Sequence, residues 1–161
     1  MTRCMIGALK GKAAIITGGG SGIGKSMVER YLAEGASVVA ADINEASLKA
    51  LLEELEPEYG DKLKILKVNV SSKEEVEAMI DYTVEAFGKV DVVINNAGIL
   101  DNLLPIAEMP DDVWERIMNI NLNSVMYACR KAVQYFLKEK REGTIINTAS
   151  LSGLCAGRGG L

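Results

Sequence analysis

Residues 17–26 read TGGGSGIGKS and carry two phosphate-binding patterns at once. The pattern G-x-x-x-x-G-K-S, which begins at Gly19, is that of the P-loop in nucleotide triphosphatases and kinases. The pattern T-G-x-x-x-G-x-G, which begins at Thr17, is typical of a loop that binds a dinucleotide. Both loops hold phosphate on backbone N–H groups at the start of a helix. The run therefore predicts a phosphate site without deciding its ligand, and a glycine-rich turn with no ligand is the remaining alternative.

Asp42 is the first residue that bears on this choice. It follows the apolar run at residues 37–41, and a carboxylate there can accept hydrogen bonds from the adenosine ribose hydroxyls of NAD. It would repel the 2′-phosphate of NADP, because both groups are negative. The same run followed by Asp also resembles the strand that holds Mg²⁺ in P-loop proteins, and Asp42 or Asn44 could instead cap a helix. Asp42 thus favours NAD without excluding the alternatives.

Further polar groups follow two later apolar runs. The sequence NNAG stands at residues 95–98, NTAS ends at Ser150, and Asn121 lies between them in NINLNSV. The carboxyl ends of parallel strands meet at one edge of a sheet, where open α/β sheets bind their ligands. A P-loop enzyme needs neither NNAG nor a serine at that edge. These residues therefore favour a dinucleotide site.

An alternation of short apolar runs and helical periods must position these groups. Apolar strands separated by helices predict a doubly wound parallel α/β sheet, covered on both faces, in a single domain over residues 1–161. Gly35 and Gly88 are expected to end two of the helices, and Ser72-x-x-Glu75 is a capping-box signature. The predicted strands are 12–17, 37–41, 63–68, 91–94 and 144–148; the predicted helices are 23–34, 45–55 ending before Pro57, one closed by Gly88, and a long one capped by Asp111 or Asp112.

Composition excludes several classes of function. A net charge of −4 without a basic block argues against nucleic acid and against an anionic membrane as partners. The chain has no histidine, which excludes a Ser-His or Cys-His nucleophile within it. Its three cysteines lie far apart, so neither a disulfide framework nor a zinc site is expected. This cysteine pattern fits a reducing cytosol, so we expect a cytoplasmic protein. The N-terminal apolar stretch is too short for a signal peptide, and no run approaches membrane-spanning length.

Taken together, the order and spacing of the motifs resemble the N-terminal two-thirds of a classical short-chain dehydrogenase/reductase. The resemblance implies a Rossmann-like fold and an NAD-dependent oxidoreductase that moves hydride between nicotinamide and a small-molecule secondary alcohol or ketone. Members that prefer NADP place a basic residue where this chain has Ser21 or Ile43, so NAD is favoured over NADP. A homo-oligomer, dimer or tetramer, is implied for the complete protein. The matching pieces are TGGGSGIG at 17–24, Asp42, Asn69-Val70, NNAG at 95–98, Asn121 and Ser150.

The resemblance also implies roles for individual residues. Asn121 resembles the catalytic Asn that positions a water in the proton relay, and Ser150 resembles the serine that binds the substrate oxygen, with Ser152 as its alternative. Asn69 stands near the adenine or simply makes a strand-end turn. No metal is expected. The residues implied to bind the cofactor are Thr17, Gly18, Gly20, Ser21, Gly22, Ile23, Gly24, Asp42, Ile43, Asn69, Val70, Asn96, Ala97 and Gly98; Asn95 is implied to fix the sheet, and Lys25 and Ser26 to face outward.

The family's Tyr-x-x-x-Lys pair should follow shortly after Ser150, and the sequence stops at Leu161. The pattern does occur at Tyr127 and Lys131, but it precedes the serine strand, so we expect no catalytic role for it. We therefore expect a truncated chain, without its last strands and substrate lobe, that associates or is unstable and turns over slowly or not at all. A non-catalytic dinucleotide-binding module and, less so, a P-loop NTPase are the alternatives.

Overall fold

A computed structural model describes residues 7–101 and 104–151 of the chain. Five strands form one parallel sheet in the order β3-β2-β1-β4-β5. The predicted doubly wound parallel α/β fold is therefore confirmed, and each strand lies within two residues of its predicted bounds. The strands are β1 (Ala13–Thr17), β2 (Ser37–Asp42), β3 (Leu63–Lys67), β4 (Val92–Asn95) and β5 (Thr144–Asn147).

Helices cover both faces of the sheet. Successive residues of a strand point to opposite faces, so Ile16 packs in a core cluster with Val28 of the first helix, and Ile15 packs in a second cluster with Met79 of the third. The helices are α1 (Gly22–Ala33), α2 (Glu45–Tyr59), α3 (Lys73–Phe87), α4 (Asp111–Met118) and α5 (Ser124–Lys138), with a π-helical turn at Asn119–Asn123 between the last two. None of the helices in the described ranges is long and apolar enough to cross a bilayer.

The register brings the predicted motif residues to one edge of the sheet. Strand β1 is central, with Ile16 opposite Ala40 of β2 on one side and Ile94 of β4 on the other. On the far side of β4, Asn95 lies opposite Asn147 of β5. The carboxyl ends of β1, β2, β4 and β5 therefore share one edge, and the glycine run follows β1 there.

Helix α2 does not end before Pro57, as the sequence predicted, but continues to Tyr59 with the proline inside it. Proline costs most in a helix interior, where it removes a hydrogen bond and crowds the preceding turn. Here only the last turn follows it. Leu55 and Tyr59 pack against the first core cluster, and we attribute the stability of the last helical turn, beyond Pro57, to this packing.

The predicted long helix differs from expectation in two ways. Pro110 occupies the cap position, so neither Asp111 nor Asp112 is the cap residue, and the π-helical turn interrupts the helix. The side of α5 that packs against the sheet carries small residues, among them Ala128 and Ala132. Phe136 is buried on the same side, whereas several other large apolar side chains of this region are exposed: Trp114 (51%), Leu122 (54%), Met126 (45%), Val133 (43%) and Leu137 (73%).

Candidate functional site

A cavity of about 410 Å³ opens at the carboxyl edge of the sheet. Its walls come from the glycine run, the ends of β2, β3 and β4, and the π-helical turn. Every residue predicted to bind the cofactor lines it except Thr17 and Gly20. The lining residues are Gly18, Ser21, Gly22, Ile23, Gly24, Asp42, Ile43, Val68, Asn69, Val70, Asn96, Ala97, Gly98, Ile99 and Ile120.

The glycine run makes a tight turn between β1 and α1. Gly18 and Gly22 have φ angles of +67° and +53°, in the left-handed region that glycine adopts most easily. A Cβ on Gly24 would overlap the carbonyl group of Gly18, so the turn and the helix touch backbone to backbone. Ser21 at the cap position gives α1 no side-chain capping bond. The first residues of α1, Gly22 to Gly24, line the cavity, and a helix start favours an anion.

Thr17 holds the end of β4 instead of lining the cavity. Its buried hydroxyl accepts hydrogen bonds from the backbone N–H groups of Asn96 at 2.9 Å and Ala97 at 3.0 Å. The side-chain amide of Asn96 donates in return to the Thr17 carbonyl at 3.1 Å. These bonds fix the NNAG segment beside the glycine run. Thr17, predicted to bind the cofactor, therefore contributes by positioning residues that line the cavity.

Asp42 lies where β2 ends, on the cavity wall. Its Oδ2 accepts from the Gly20 N–H at 3.0 Å, and its Oδ1 accepts from the Asn44 N–H at 2.9 Å. The cap of α2 is Asn44, whose Oδ1 accepts from the Ser47 N–H at 3.1 Å. Asp42 is therefore not the helix cap, and of the two residues considered for that role Asn44 fills it. Ile43 beside it is exposed, with no basic side chain at that position.

Asn69 forms a turn at the end of β3 and also lines the cavity. Its Oδ1 accepts from the backbone N–H of Ser71 at 3.1 Å and from its hydroxyl at 2.7 Å. The capping box predicted nearby forms only in part: Ser72 Oγ accepts from the Glu75 N–H at 3.2 Å. The Glu75 carboxylate accepts from the Asn69 N–H at 2.7 Å, because the Ser72 N–H is already bonded to the Asn69 carbonyl.

Asn121 lies on the π-helical turn and does not line the cavity. Its Oδ1 accepts from the Ile99 N–H at 2.9 Å, and its Nδ2 donates to the Ile99 carbonyl at 2.8 Å. Ile99 and Ile120, on either side of this contact, do line the cavity. Asn121 thus fastens the segment after NNAG to the helix, which positions one wall of the site.

Ser150 follows β5 at the same edge of the sheet and is exposed, outside the cavity lining. The strand that leads to it is fixed by Asn95, whose amide donates to Asn147 Oδ1 at 2.8 Å and whose carbonyl accepts from the Thr148 N–H at 2.9 Å. The Thr148 hydroxyl donates to Asn96 Oδ1 at 3.3 Å. The alternative Ser152 lies outside the described residues.

Three lining residues were not predicted from the sequence: Val68, Ile99 and Ile120. All are apolar, and apolar side chains carry no sign of a site by their type. Each is adjacent to a residue that was predicted, namely Asn69, Gly98 or Asn121. Adjacency to a motif residue is the signal that would have found them.

The side chains on which two other pattern matches depend lie outside the cavity lining. Lys25 Nζ is 2.6 Å from Glu54 Oε2, and this hydrogen bond raises the pKa of Lys25. Lys131 Nζ is 2.7 Å from Asp81 Oδ2 on α3, and Tyr127 packs against the second core cluster. None of these three residues lines the cavity, so the lysine of the P-loop pattern and the Tyr-x-x-x-Lys pair at 127–131 are not part of its wall. The described residues also contain no group of three or more potential metal ligands.

Comparison with known proteins agrees with this geometry. The family model of short chain dehydrogenases matches residues 12–160. A curated relative, 3beta-hydroxysteroid dehydrogenase 2 of Eggerthella lenta, is 64% identical over 152 residues, which cover 94% of this chain and 58% of the relative. A 3beta-hydroxysteroid dehydrogenase of Mediterraneibacter gnavus is 37% identical over 150 residues, 93% of this chain and 53% of its own length.

Solved structures show the same fold. A short chain dehydrogenase from Mycobacterium smegmatis matches with a TM-score of 0.88 at 39% identity, over 94% of this chain and 63% of that one. A short chain dehydrogenase/reductase from Burkholderia phymatum in complex with NAD matches with a TM-score of 0.88 at 31% identity, over 94% and 53%. The chain therefore spans about half to two-thirds of the proteins it matches. By its sequence match and its fold, the chain belongs to the short-chain dehydrogenase/reductase family.

Proposed function

We propose that this chain supplies the NAD site of an oxidoreductase acting on a secondary alcohol or the corresponding ketone. The observation that carries the proposal is the meeting of the glycine turn and the Asp42 carboxylate on one cavity. When bound, the nicotinamide cofactor supplies or accepts the hydride. The chain's own residues bind the cofactor, orient it and exclude water from it.

The pyrophosphate would be held at the start of α1. Gly18, Gly22 and Gly24 bring backbone close to the cavity, and α1 begins there without a side-chain cap. Backbone N–H groups at such a helix start bind phosphate oxygens. Glycine at position 24 suits this role, because a Cβ there would overlap the Gly18 carbonyl and disrupt the turn.

NAD is preferred to NADP in this proposal. A carboxylate has about four lone-pair positions, and the Gly20 and Asn44 N–H groups use one on each oxygen of Asp42. The two that remain match the two hydroxyls of a ribose. A 2′-phosphate would be repelled by Asp42, and Ser21 and Ile43 offer it no positive charge. The structural neighbour solved with NAD supports this preference.

The remaining lining residues suit the other parts of a dinucleotide. Val68, Val70 and Ile120 present apolar surface, and Asn69 presents an amide beside them, as a flat heteroaromatic ring such as adenine would need. Ala97 and Gly98 present backbone on the opposite side of the glycine turn. We assign the adenine to the first group and the nicotinamide ribose to the second.

Ser150 and Asn121 would act on the substrate side. The Ser150 hydroxyl can donate a hydrogen bond to the substrate oxygen, where negative charge develops when a ketone is reduced. Both amide atoms of Asn121 are already bonded to Ile99. Its contribution to a proton relay would therefore come from its main chain, with its side chain as the anchor.

A 3β-hydroxysteroid is the substrate we favour, because two matching relatives carry that activity in their names. An apolar substrate also suits the segment next to the cavity, where Leu100 and Ile106 are exposed. The complete protein would be a homo-oligomer, since exposed apolar side chains along α4 and α5 offer a surface for a second copy.

A chimera tests the proposed function. This chain would replace the matching 152 residues of the Eggerthella lenta relative, and NADH formation from a 3β-hydroxysteroid would be followed by its near-ultraviolet absorbance. We expect turnover within about tenfold of the relative, and Ser150→Ala should lower kcat by about a hundredfold or more. Tyr127→Phe is the control and should leave kcat unchanged. A chimera that folds and binds NAD but oxidises no hydroxysteroid would overturn the substrate, and one that binds no NAD would overturn the site.

A further inference from the structure

The glycine run is joined to the end of β2 by two successive hydrogen bonds. The Gly19 N–H donates to the Ala41 carbonyl at 3.0 Å, and the Gly20 N–H donates to Asp42 Oδ2 at 3.0 Å. Gly20 is buried behind the carboxylate and does not line the cavity, whereas Asp42 does. Asp42 is therefore the cavity-lining side chain that Gly20 contacts directly.

The space around Gly20 is filled by the residues it touches. A Cβ added there would lie 3.1 Å from Asp42 Oδ2, 3.2 Å from Asp42 Cγ and 3.1 Å from Ser47 Cβ. Such contacts are tighter than ordinary van der Waals distances, so the carboxylate or the start of α2 would have to move by a few tenths of an ångström.

The backbone of Gly20 does not itself need glycine. The described glycines with positive φ include Gly18 and Gly22 but not Gly20. The φ angle of Gly20 therefore does not require glycine, and the cost of alanine would arise from its contacts with Asp42 and Ser47. This separates Gly20 from Gly18 and Gly22, where a side chain would strain the backbone.

We propose that Gly20 is a selectivity-determining positioning residue, which fixes the Asp42 carboxylate where it accepts from both hydroxyls of an unphosphorylated adenosine ribose. The proposal rests on the NAD site proposed above. The hydrogen bond from the Gly20 N–H sets the position of Asp42 Oδ2, and the absence of a side chain on Gly20 leaves room for that oxygen. A binding group must be held to within about half an ångström, and the few tenths that a Cβ would cause take up much of that tolerance.

Equilibrium binding of NAD and of NADP, measured by calorimetry on this chain, tests the proposal through a double-mutant cycle. Gly20→Ala should weaken NAD binding by about tenfold, because the carboxylate loses its alignment with the hydroxyls. NADP binding should change less than about twofold, since its 2′-phosphate gains nothing from that alignment. In an Asp42→Ala background, Gly20→Ala should change NAD binding by less than about twofold, because the two residues act as one unit.

The outcomes distinguish three accounts. If wild-type chain binds no NAD, the proposed function fails and this proposal with it. Suppose that wild type binds NAD but Gly20→Ala weakens the binding of both dinucleotides equally, or that its effect on NAD binding persists in the Asp42→Ala background. Either result overturns the selectivity role and leaves the NAD site standing. Ser26→Ala is the control, since Ser26 is exposed on α1 outside the cavity, and it should leave both affinities unchanged.

A second variant covers the case in which Gly20→Ala does not fold. Asp42→Glu keeps the charge but moves the carboxylate away from the Gly20 N–H, so it should also weaken NAD binding by about tenfold and still disfavour NADP. The Gly20 amide resonance gives a cofactor-free measurement. It should shift in Asp42→Ala and not in Ser26→Ala, and an unshifted resonance would overturn the contact.

Discussion

The side chain of Asn121 binds both backbone polar groups of Ile99, donating to its carbonyl at 2.8 Å and accepting from its N–H at 2.9 Å. An amide is suited to this contact because it carries one donor and one acceptor group side by side. The contact joins the π-helical turn to the segment after β4, and Ile99 lines the cavity. Asn121, which resembles the family's catalytic Asn, therefore also stabilises the wall of the cavity through these two hydrogen bonds.

Asn121→Asp should be destabilising, because the carboxylate keeps the acceptor for the Ile99 N–H but turns an oxygen toward the Ile99 carbonyl. We expect the free energy of unfolding to fall by about 1–3 kcal/mol, measured with denaturant. Asn119→Ala, at an exposed site in the same turn, should cost less than about 0.5 kcal/mol. Equal stability of Asn121→Asp and wild type would show that the contact contributes nothing.

Asp91 should make stability depend on pH. Burial raises its pKa, but a hydrogen bond from the Ala13 N–H at 2.9 Å and the Lys89 ammonium at 3.0 Å outweigh burial and hold the pKa below its ordinary value. Arg141 adds a second positive charge, at 3.2 Å from Asp91 Oδ1. Since the folded pKa is the lower one, the stabilisation is present above the unfolded pKa and is lost as pH falls through the folded pKa.

Asp91→Asn therefore should lose about 1–3 kcal/mol of unfolding free energy at neutral pH. The difference from wild type should shrink as pH falls below about 4, because the unfolded carboxyl is protonated there before the folded one. Urea unfolding across that range measures both effects. Asp61→Asn makes the same chemical change at an exposed site and should alter stability little. A difference that is independent of pH would contradict the assignment.

Much of the fold was predictable, because it rests on apolar periodicity. Strand β1 is buried throughout, so its apolar run marked it without any partner being known. Gly88, with a φ of +73°, ends α3 as predicted, because its role is fixed by local backbone geometry. Features set by local chemistry or by continuous apolar runs are thus readable from the chain.

Features that depend on tertiary packing could not be predicted from the sequence. The extension of α2 past Pro57 depends on the packing of Tyr59 against the first core cluster. The local sequence gives no sign of this tertiary contact. The π-helical turn contains Asn121, which is hydrogen-bonded to Ile99. Ile99 is distant in sequence, so the pattern around Asn121 does not reveal this contact. The sequence placed Thr17 at the cofactor site but did not predict its hydrogen bonds. Its hydroxyl accepts from the N–H groups of Asn96 and Ala97, which follow a different strand.

Two glycine substitutions should separate steric overlap from backbone strain in the turn. Gly24→Ala should cost about 3 kcal/mol or more and abolish NAD binding, because its Cβ would overlap the Gly18 carbonyl. Gly22→Ala meets nothing within 4 Å but has a φ of +53°, so it should cost about 1–2 kcal/mol. Thermal unfolding of both variants measures the order. A more stable Gly24→Ala than Gly22→Ala would contradict the geometry of the turn.

Lys25→Ala should leave NAD binding within about twofold of wild type, because its ammonium is paired with Glu54 and does not line the cavity. A lysine in a true P-loop contacts the nucleotide phosphates, and its loss would remove most of the affinity. Calorimetric titration with NAD is the measurement. A loss of an order of magnitude or more would return Lys25 to the binding site.

The central claim, that the cavity is an NAD site, is tested most directly by titrating this chain with NAD, NADP and Mg-ATP under identical conditions. The account predicts that NAD binds most tightly, that NADP binds about tenfold more weakly because of Asp42, and that Mg-ATP binds more weakly than NAD. Tighter binding of Mg-ATP than of NAD, or no binding of NAD by the folded chain, would contradict it.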